Sequence, residues 1–142
     1  MLQSLTAKHS VQFPSTGFDF GGTNSLEEVG QAFAAVNITG HRWVGSGNSN
    51  CFPYKKGVYA RLENTVACRD GLKSGCEFID KGYAWTLDYE SSIAREIKLG
   101  LDGVITNYPR NALAALKQED VARIARSAGP KDSPWTRIKT TT

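Results

Sequence analysis

Three polar residues stand where short apolar runs give way to loops. Ser46 follows Trp43-Val44-Gly45, Asp88 follows Tyr83-Ala84-Trp85-Thr86-Leu87, and Asn107 follows Gly103-Val104-Ile105-Thr106. In folds that alternate strands with helices, side chains at such strand ends converge on ligands. A carboxylate and a carboxamide placed there can accept and donate hydrogen bonds at such a site. Each has a structural reading as well. Asp88 precedes a helical segment and is either its N-cap or a site group. Asn107 precedes Tyr108-Pro109 and is either turn chemistry or a ligand contact. Trp85, inside an apolar strand, is either core or an aromatic platform. Asp19 lies between Phe18 and Phe20, on the opposite pleat face from both, and faces either an inner cavity or a helix.

Other reactive residue types are sparse. His9 and His41 are the only imidazoles, and neither has a companion spaced as a nucleophile–base pair or a metal face, so both read as structural or exposed. Cys51, Cys68 and Cys76 make an odd count, which leaves a free thiol or a partner in another chain. No His or Cys has a neighbour at a spacing that closes a zinc site. Gly21-Gly22 and Gly45-Ser46-Gly47 match neither a phosphate loop nor a dinucleotide fingerprint.

The elements that must position these residues follow a steady rhythm of short apolar runs and amphipathic segments, the pattern of an α/β fold with parallel strands. Gly17-Phe18-Asp19-Phe20 leads into a helix over about 25–36, with Leu26, Val29, Phe33 and Val36 on one face. Ser25 and Glu28 form a capping box at its start. A strand around Arg42-Trp43-Val44 leads through a Gly/Asn/Ser-rich loop over 45–56 into a helix near 58–72, with Leu62 and Val66 inward. The strand 83–87 feeds a helix carrying Ile93 and Ile97 and ended by Gly100. Gly103-Val104-Ile105-Thr106 is followed by Leu113, Leu116, Val121 and Ile124 in one long or broken helix. Past Ala128 comes a tail, 129–142, that contains Trp135. Four β/α units match half of a TIM-type (β/α)8 barrel. Half a barrel has two open strand edges and an uncovered inner face, and no proline or charge protects the edges, so a partner half or self-association is expected.

Composition narrows the function classes. Hydrophobic residues make up 40% and charged residues 22% of the 142, a globular profile. A net charge of +3 without a dense Lys/Arg run gives no nucleic-acid groove. No stretch reaches the roughly 18 apolar residues of a membrane span, and residues 1–10 lack an apolar export core, so neither a transmembrane segment nor a signal peptide is expected.

Four motifs carry a family resemblance across nearly the whole of residues 1–142. Tyr83-Ala84-Trp85-Thr86-Leu87-Asp88 resembles the Tyr-x-Trp-Thr-x-Asp strand of the sphingomyelinase D–type phospholipases D of spider venoms, bacteria and fungi. Asp102-Gly103-Val104-Ile105-Thr106-Asn107-Tyr108-Pro109 resembles their Asp-Gly-(Ile/Val)-x-Thr-Asn-Tyr-Pro, which glycerophosphodiester phosphodiesterases share in similar form. His41-Arg42-Trp43 through Cys51 is similar to His-x-Trp-Gln-x-Asp-Gly-Ile-Thr-Asn-Cys, with Ser46-Gly47 in place of Asp-Gly. Asp132-Ser133-Pro134-Trp135 resembles the Asp-Asn-Pro-Trp tail that plugs the barrel base.

The resemblance implies the C-terminal half of a secreted, magnesium-dependent barrel lyase. Such an enzyme takes the head group from sphingomyelin or lysophospholipids by attack of a lipid hydroxyl, leaving a cyclic phosphate. It implies that Tyr83, Trp85, Asp88 and Asn107 line the active-site mouth and bind substrate. The family's two catalytic histidines, its metal-binding Glu and Asp residues and an active-site lysine belong to N-terminal strands with no counterpart here, and His41 matches a position that is not catalytic. The chain alone is therefore expected to be inactive and to hold no magnesium. The residue matching Cys51 bonds in many members to a cysteine of the N-terminal half. Cys68 and Cys76 remain, flanking a Gly-Leu-Lys-Ser-Gly connection that allows them to pair in an oxidising compartment. Two alternatives stay open: a glycerophosphodiester phosphodiesterase half-domain, and a non-catalytic module that binds lipid or protein.

Overall fold

The computed structural model describes residues 17–22, 24–47 and 56–136. Readings that concern His9 and Cys51 fall outside them. Four strands, β1 (Phe18–Gly21), β2 (Arg42–Gly47), β3 (Lys81–Trp85) and β4 (Gly103–Val104), form one parallel sheet in the order β1-β2-β3-β4. Between and after them run α1 (Leu26–Ala35), α2 (Lys56–Arg69), α3 (Glu90–Leu99), α4 (Pro109–Ala115) and α5 (Glu119–Ala122). This is the expected parallel α/β arrangement, with each new strand added beside the last. The first strand ends one residue later than the alternation suggests, and the third starts two earlier. Leu87, assigned to that third strand, lies past its end and is still buried.

Local signals account for the helix ends. The Ser25 hydroxyl accepts from the Glu28 amide at 3.2 Å, and the Glu28 carboxylate accepts from the Ser25 amide at 2.8 Å, so the capping box closes both ways. Donation from the Ser25 amide, and then from its hydroxyl, holds the Glu28 carboxyl below its usual range. Gly100 ends α3 with φ 102°, a left-handed conformation that glycine adopts without a Cβ clash, and its amide reaches the Glu96 and Ile97 carbonyls.

One face of the sheet carries the helices. Phe18, Phe20, Val44, Ala84 and Val104 point there, as the register of alternate residues requires. They pack into two apolar clusters. One gathers Leu62, Ala84, Leu87, Ile93, Ala94, Leu101, Ala115 and Val121; the other joins Val29, Phe33, Val44, Ile79 and the Cys68–Cys76 disulfide. Fully buried Leu62 and Ile93 each contribute about 1.5–3 kcal/mol of transfer free energy. Two residues expected inward face water. Val36 is 50% exposed because α1 stops at Ala35 and Val36, its C-cap, leaves helical geometry. Leu113 is 52% exposed because α4 has only seven residues and breaks before α5, so its inward face is carried by Ala112 and Ala115. The helix 58–72 is shorter than expected at its end, stopping at Arg69.

The lower end of the sheet, where the strands begin, is held by polar groups. The Asp102 carboxylate accepts from Lys81 Nζ at 3.1 Å, from Arg69 and from the Gly82 amide at 2.9 Å, all nearly out of water. Removing one member of such a buried set strands the others. The tail returns to this end. Arg126 grips Asp132 through two bonds of 2.7 Å, and Trp135 stacks on His41 at 3.9 Å and meets Trp43 edge-on at 6.1 Å. No helix of the described residues is long and apolar enough to cross a membrane.

Candidate functional site

At the opposite end, where β3 and β4 finish, Asp88 is the centre of a hydrogen-bonded clamp. Its Oδ1 accepts from the Thr106 hydroxyl at 3.1 Å and from the Asn107 amide at 2.8 Å. Its Oδ2 accepts from Asn107 Nδ2 at 3.1 Å. Its main-chain oxygen accepts from Asn111 Nδ2 at 2.7 Å. The Leu87 amide donates to Ile105 at 2.9 Å and ties the same two loops. The N-cap reading of Asp88 is corrected: the α3 cap is Tyr89, which makes no side-chain cap bond, while the Asp88 carboxylate is engaged across the loop after β4. Asn107 holds the turn and the clamp together. Asp88, Tyr89, Asn107, Tyr108 and Asn111 line an open depression of about 560 Å³.

Tyr83 lies one layer lower, on the face of the sheet that carries no helix among the described residues. Its hydroxyl donates to Asp19 Oδ2 at 3.0 Å, and burial together with the Asp19 carboxylate pushes the phenol up to about 12. Asp19 therefore faces this inner side and not a helix. The Tyr83 ring reaches Asp19 across β2 because residue 45 is glycine: a Cβ there would stand 2.2 Å from the ring. Asp19, Trp43, Tyr83, Gly103, Val104 and Ile105 line a second, mostly apolar depression of about 320 Å³. Trp85 is half-buried at the end of β3, its indole nitrogen toward Gly21.

The four residues expected at one mouth are thus divided. Asp88 and Asn107 are bonded to each other; Tyr83 belongs to the inner face below them, and Trp85 stands on that face at the upper edge. Ser46 joins neither group. It is buried among the helices because it shares a pleat face with Val44, while Gly45 and Gly47 take the inner positions. His41, stacked on Trp135, is at the far end of the sheet. Asn111 was not anticipated. Its signal was its place in the first turn of a helix opened by Pro109, one turn from Asn107 and within reach of the preceding strand's loop.

The resemblance implies magnesium. Mg²⁺ needs near-octahedral oxygen ligands, commonly one or two carboxylates with waters or phosphates. Among the described residues the depression at the strand ends has one carboxylate, Asp88, whose two oxygens already take O–H and N–H donors. Among the described residues no three His, Cys, Asp or Glu gather as a metal would require. The residues described do not fit the ion.

A parallel four-strand β/α sheet is consistent with part of a TIM-type barrel, and the polar clamp stands at the carboxyl ends of its last two strands. Comparison with known proteins gives the family. The model for "Dermonecrotic toxin SPH" matches residues 1–135. A dermonecrotic toxin of Loxosceles spinulosa is 38% identical over 123 residues, 87% of this chain and 43% of the toxin. One of Ixodes scapularis is 33% identical over 130 residues, covering 92% and 35% of the two chains, and one of Loxosceles deserta is 34% identical over 134, covering 94% and 47%. The chain belongs to the dermonecrotic toxin SPH family, that of sphingomyelinase D. It spans less than half the length of these relatives.

Proposed function

We propose that this chain forms the C-terminal half of a secreted sphingomyelinase D–type phospholipase D barrel, with a wall of its active-site mouth, and that it is inactive alone. The observation that carries the reading is the Asp88–Asn107 clamp at the ends of β3 and β4, in a chain of this family. Asp88 and Asn107 shape the rim. Trp85 and Tyr83 supply an aromatic surface that excludes water from a bound phosphodiester. The reaction is release of the head group of sphingomyelin or a lysophospholipid with formation of a cyclic phosphate. Its acid–base imidazoles and magnesium ligands come from the complementary N-terminal half, as a further segment or a separate chain. Loss of an acid–base pair together with its metal costs many orders of magnitude in rate.

The test is choline release from sphingomyelin with magnesium, by the purified chain and by the chain co-expressed with the N-terminal portion of the Loxosceles spinulosa relative. The chain alone should match a blank, and the pair should turn over substrate. Choline release by the chain alone would refute its inactivity. A stable, correctly assembled pair that hydrolyses glycerophosphodiesters and leaves sphingomyelin intact would move the reading to that other barrel enzyme.

A further inference from the structure

The link between α1 and β2 carries a motif that the strand-end site does not use. Asn37-Ile38-Thr39 is an Asn-x-Thr triplet without proline at x or after the threonine. No other asparagine of the chain has serine or threonine two residues on. Local folding places this triplet with its acceptor in the open. The Ile38 amide donates to the Phe33 carbonyl at 2.9 Å and the Asn37 amide to the Ala34 carbonyl at 3.0 Å, the paired bonds of a left-handed helix end. Such an end needs a positive φ just past the cap, and Asn37 supplies it with φ 55° after Val36. Ile38 then packs into the cluster of Phe33, while Asn37 and Thr39 on either side of it are exposed. Among the described residues no hydrogen bond engages the Asn37 carboxamide. The turn is open beyond the triplet as well, because a Cβ built on Gly40 would meet nothing within 4 Å.

We propose that Asn37 is an N-glycosylation site, modified from a polyprenyl-diphosphate oligosaccharide in the lumen of the secretory pathway. In the transfer, Asn37 Nδ2 bonds to the anomeric carbon of the first sugar. The bond from that carbon to the diphosphate oxygen breaks, the lipid diphosphate leaves with the electron pair, and Nδ2 gives up one of its two protons. Thr39 is not consumed; its hydroxyl completes the motif that the transferase requires. The proposal rests on the secreted reading above only for entry into that compartment, whose oxidising conditions also suit the Cys68–Cys76 bond. The turn lies where the strands begin, at the opposite end of the sheet from Asp88, so a glycan there leaves the strand-end depression clear. Its first sugars stand beside Val36, which is 50% exposed, and shield it from water. Its bulk also requires that the complementary half leave this turn uncovered.

The test expresses the full chain in insect cells behind a cleavable secretory leader, so that entry into the lumen is given. Chain from the lumen and the medium is compared by gel mobility and peptide mass mapping, with and without peptide N-glycosidase. Untreated chain should run slower, treatment should restore its mobility, and the mapped peptide should show Asn37 converted to aspartate by the release. Asn37→Gly should lose the mobility shift and stay folded, because glycine holds a left-handed position past a helix cap at least as well as asparagine. Thr39→Ala should lose the shift with Asn37 still in place, and Thr39→Ser should keep it. Transfer acts on the nascent chain, so occupancy is read on luminal chain whether or not a variant folds. An unmodified Asn37 in luminal chain would overturn the proposal, as would a shift that survives Asn37→Gly or Thr39→Ala. A glycosylated chain that never supports choline release, alone or paired, would refute the phospholipase reading alone. Choline release by a pair whose luminal Asn37 stays bare would refute this site alone.

Discussion

Reducing the Cys68–Cys76 bond should lower stability by an amount set by the loop it closes. The two cysteines are eight residues apart and join the end of α2 to the approach to β3. Closing a loop of about nine residues removes roughly 9 cal/mol/K of denatured-chain entropy, or about 2.6 kcal/mol at 25 °C. Both sulfurs are buried beside Val29, Phe33, Val44 and Ile79, so the reduced thiols still fill the same volume and the entropy dominates. Against a typical domain stability of about 5–15 kcal/mol this is a large share. It corresponds to a melting point lower by roughly 8–12 °C for a domain of this size. The assay is a thermal melt with and without a phosphine reductant at fixed protein concentration. Thiol titration of the denatured, unreduced chain should find one free thiol, since two of the three cysteines are bonded. The double variant Cys68→Ala/Cys76→Ala should lose more, because it also empties part of the cluster. A melting point indifferent to reductant, in a chain shown to be bridged, would refute the entropic reasoning. Three titrating thiols would refute the bridge.

Gly45→Ala should drive the Tyr83 ring off β2, break its bond to Asp19 and return the phenol from about 12 toward its ordinary value near 10; ring-carbon NMR of Tyr83 against pH measures this, and an unmoved titration would show that the ring does not depend on the glycine. Glu96 is buried, and burial raises its carboxyl above the usual range despite the bond to Arg95. A folded-state value above the unfolded one adds stability at low pH that is lost as pH rises through the folded value. Glu96→Gln should therefore match the parent near pH 4 and gain on it toward pH 7 in urea melts, and a flat difference would contradict the assignment. Among the described residues, the face of the sheet bearing Asp19, Trp43 and Tyr83 carries no helix, and β1 and β4 are edge strands. The chain alone should self-associate at micromolar concentration; sedimentation showing a monodisperse monomer with a concentration-independent melt would mean that the sheet needs no second half.

The features legible in the sequence were those written in near neighbours. Ser25 and Glu28 cap each other across three residues, Gly100 terminates its helix through its own φ, and alternation along β1 placed Phe18 and Phe20 opposite Asp19. Asp88 and Asn107 were recognisable as strand-end groups, but their mutual bond, nineteen residues apart, depends on β3 and β4 lying side by side. Ser46 misled because its loop-like Gly neighbours hid that it shares a face with Val44. Val36 and Leu113 fit helical periodicity, yet helix length, set by caps and breaks, decided their exposure. The ring of Tyr83 crossing Gly45 was invisible to any pattern along one strand, since it is a contact between two.

The stack of Trp135 on His41 bears on how the chain is made. β1 and β2 leave the ribosome before β3 and β4, and each later βαβ unit can dock on the edge already formed. The residue that covers the foot of β2 is among the last described. At roughly 5–20 residues per second, several seconds of synthesis separate the strand from its cover. During that interval Trp43 and the imidazole beside it lack this cover, and β1 and β2 are the strands of this sheet that wait longest for it.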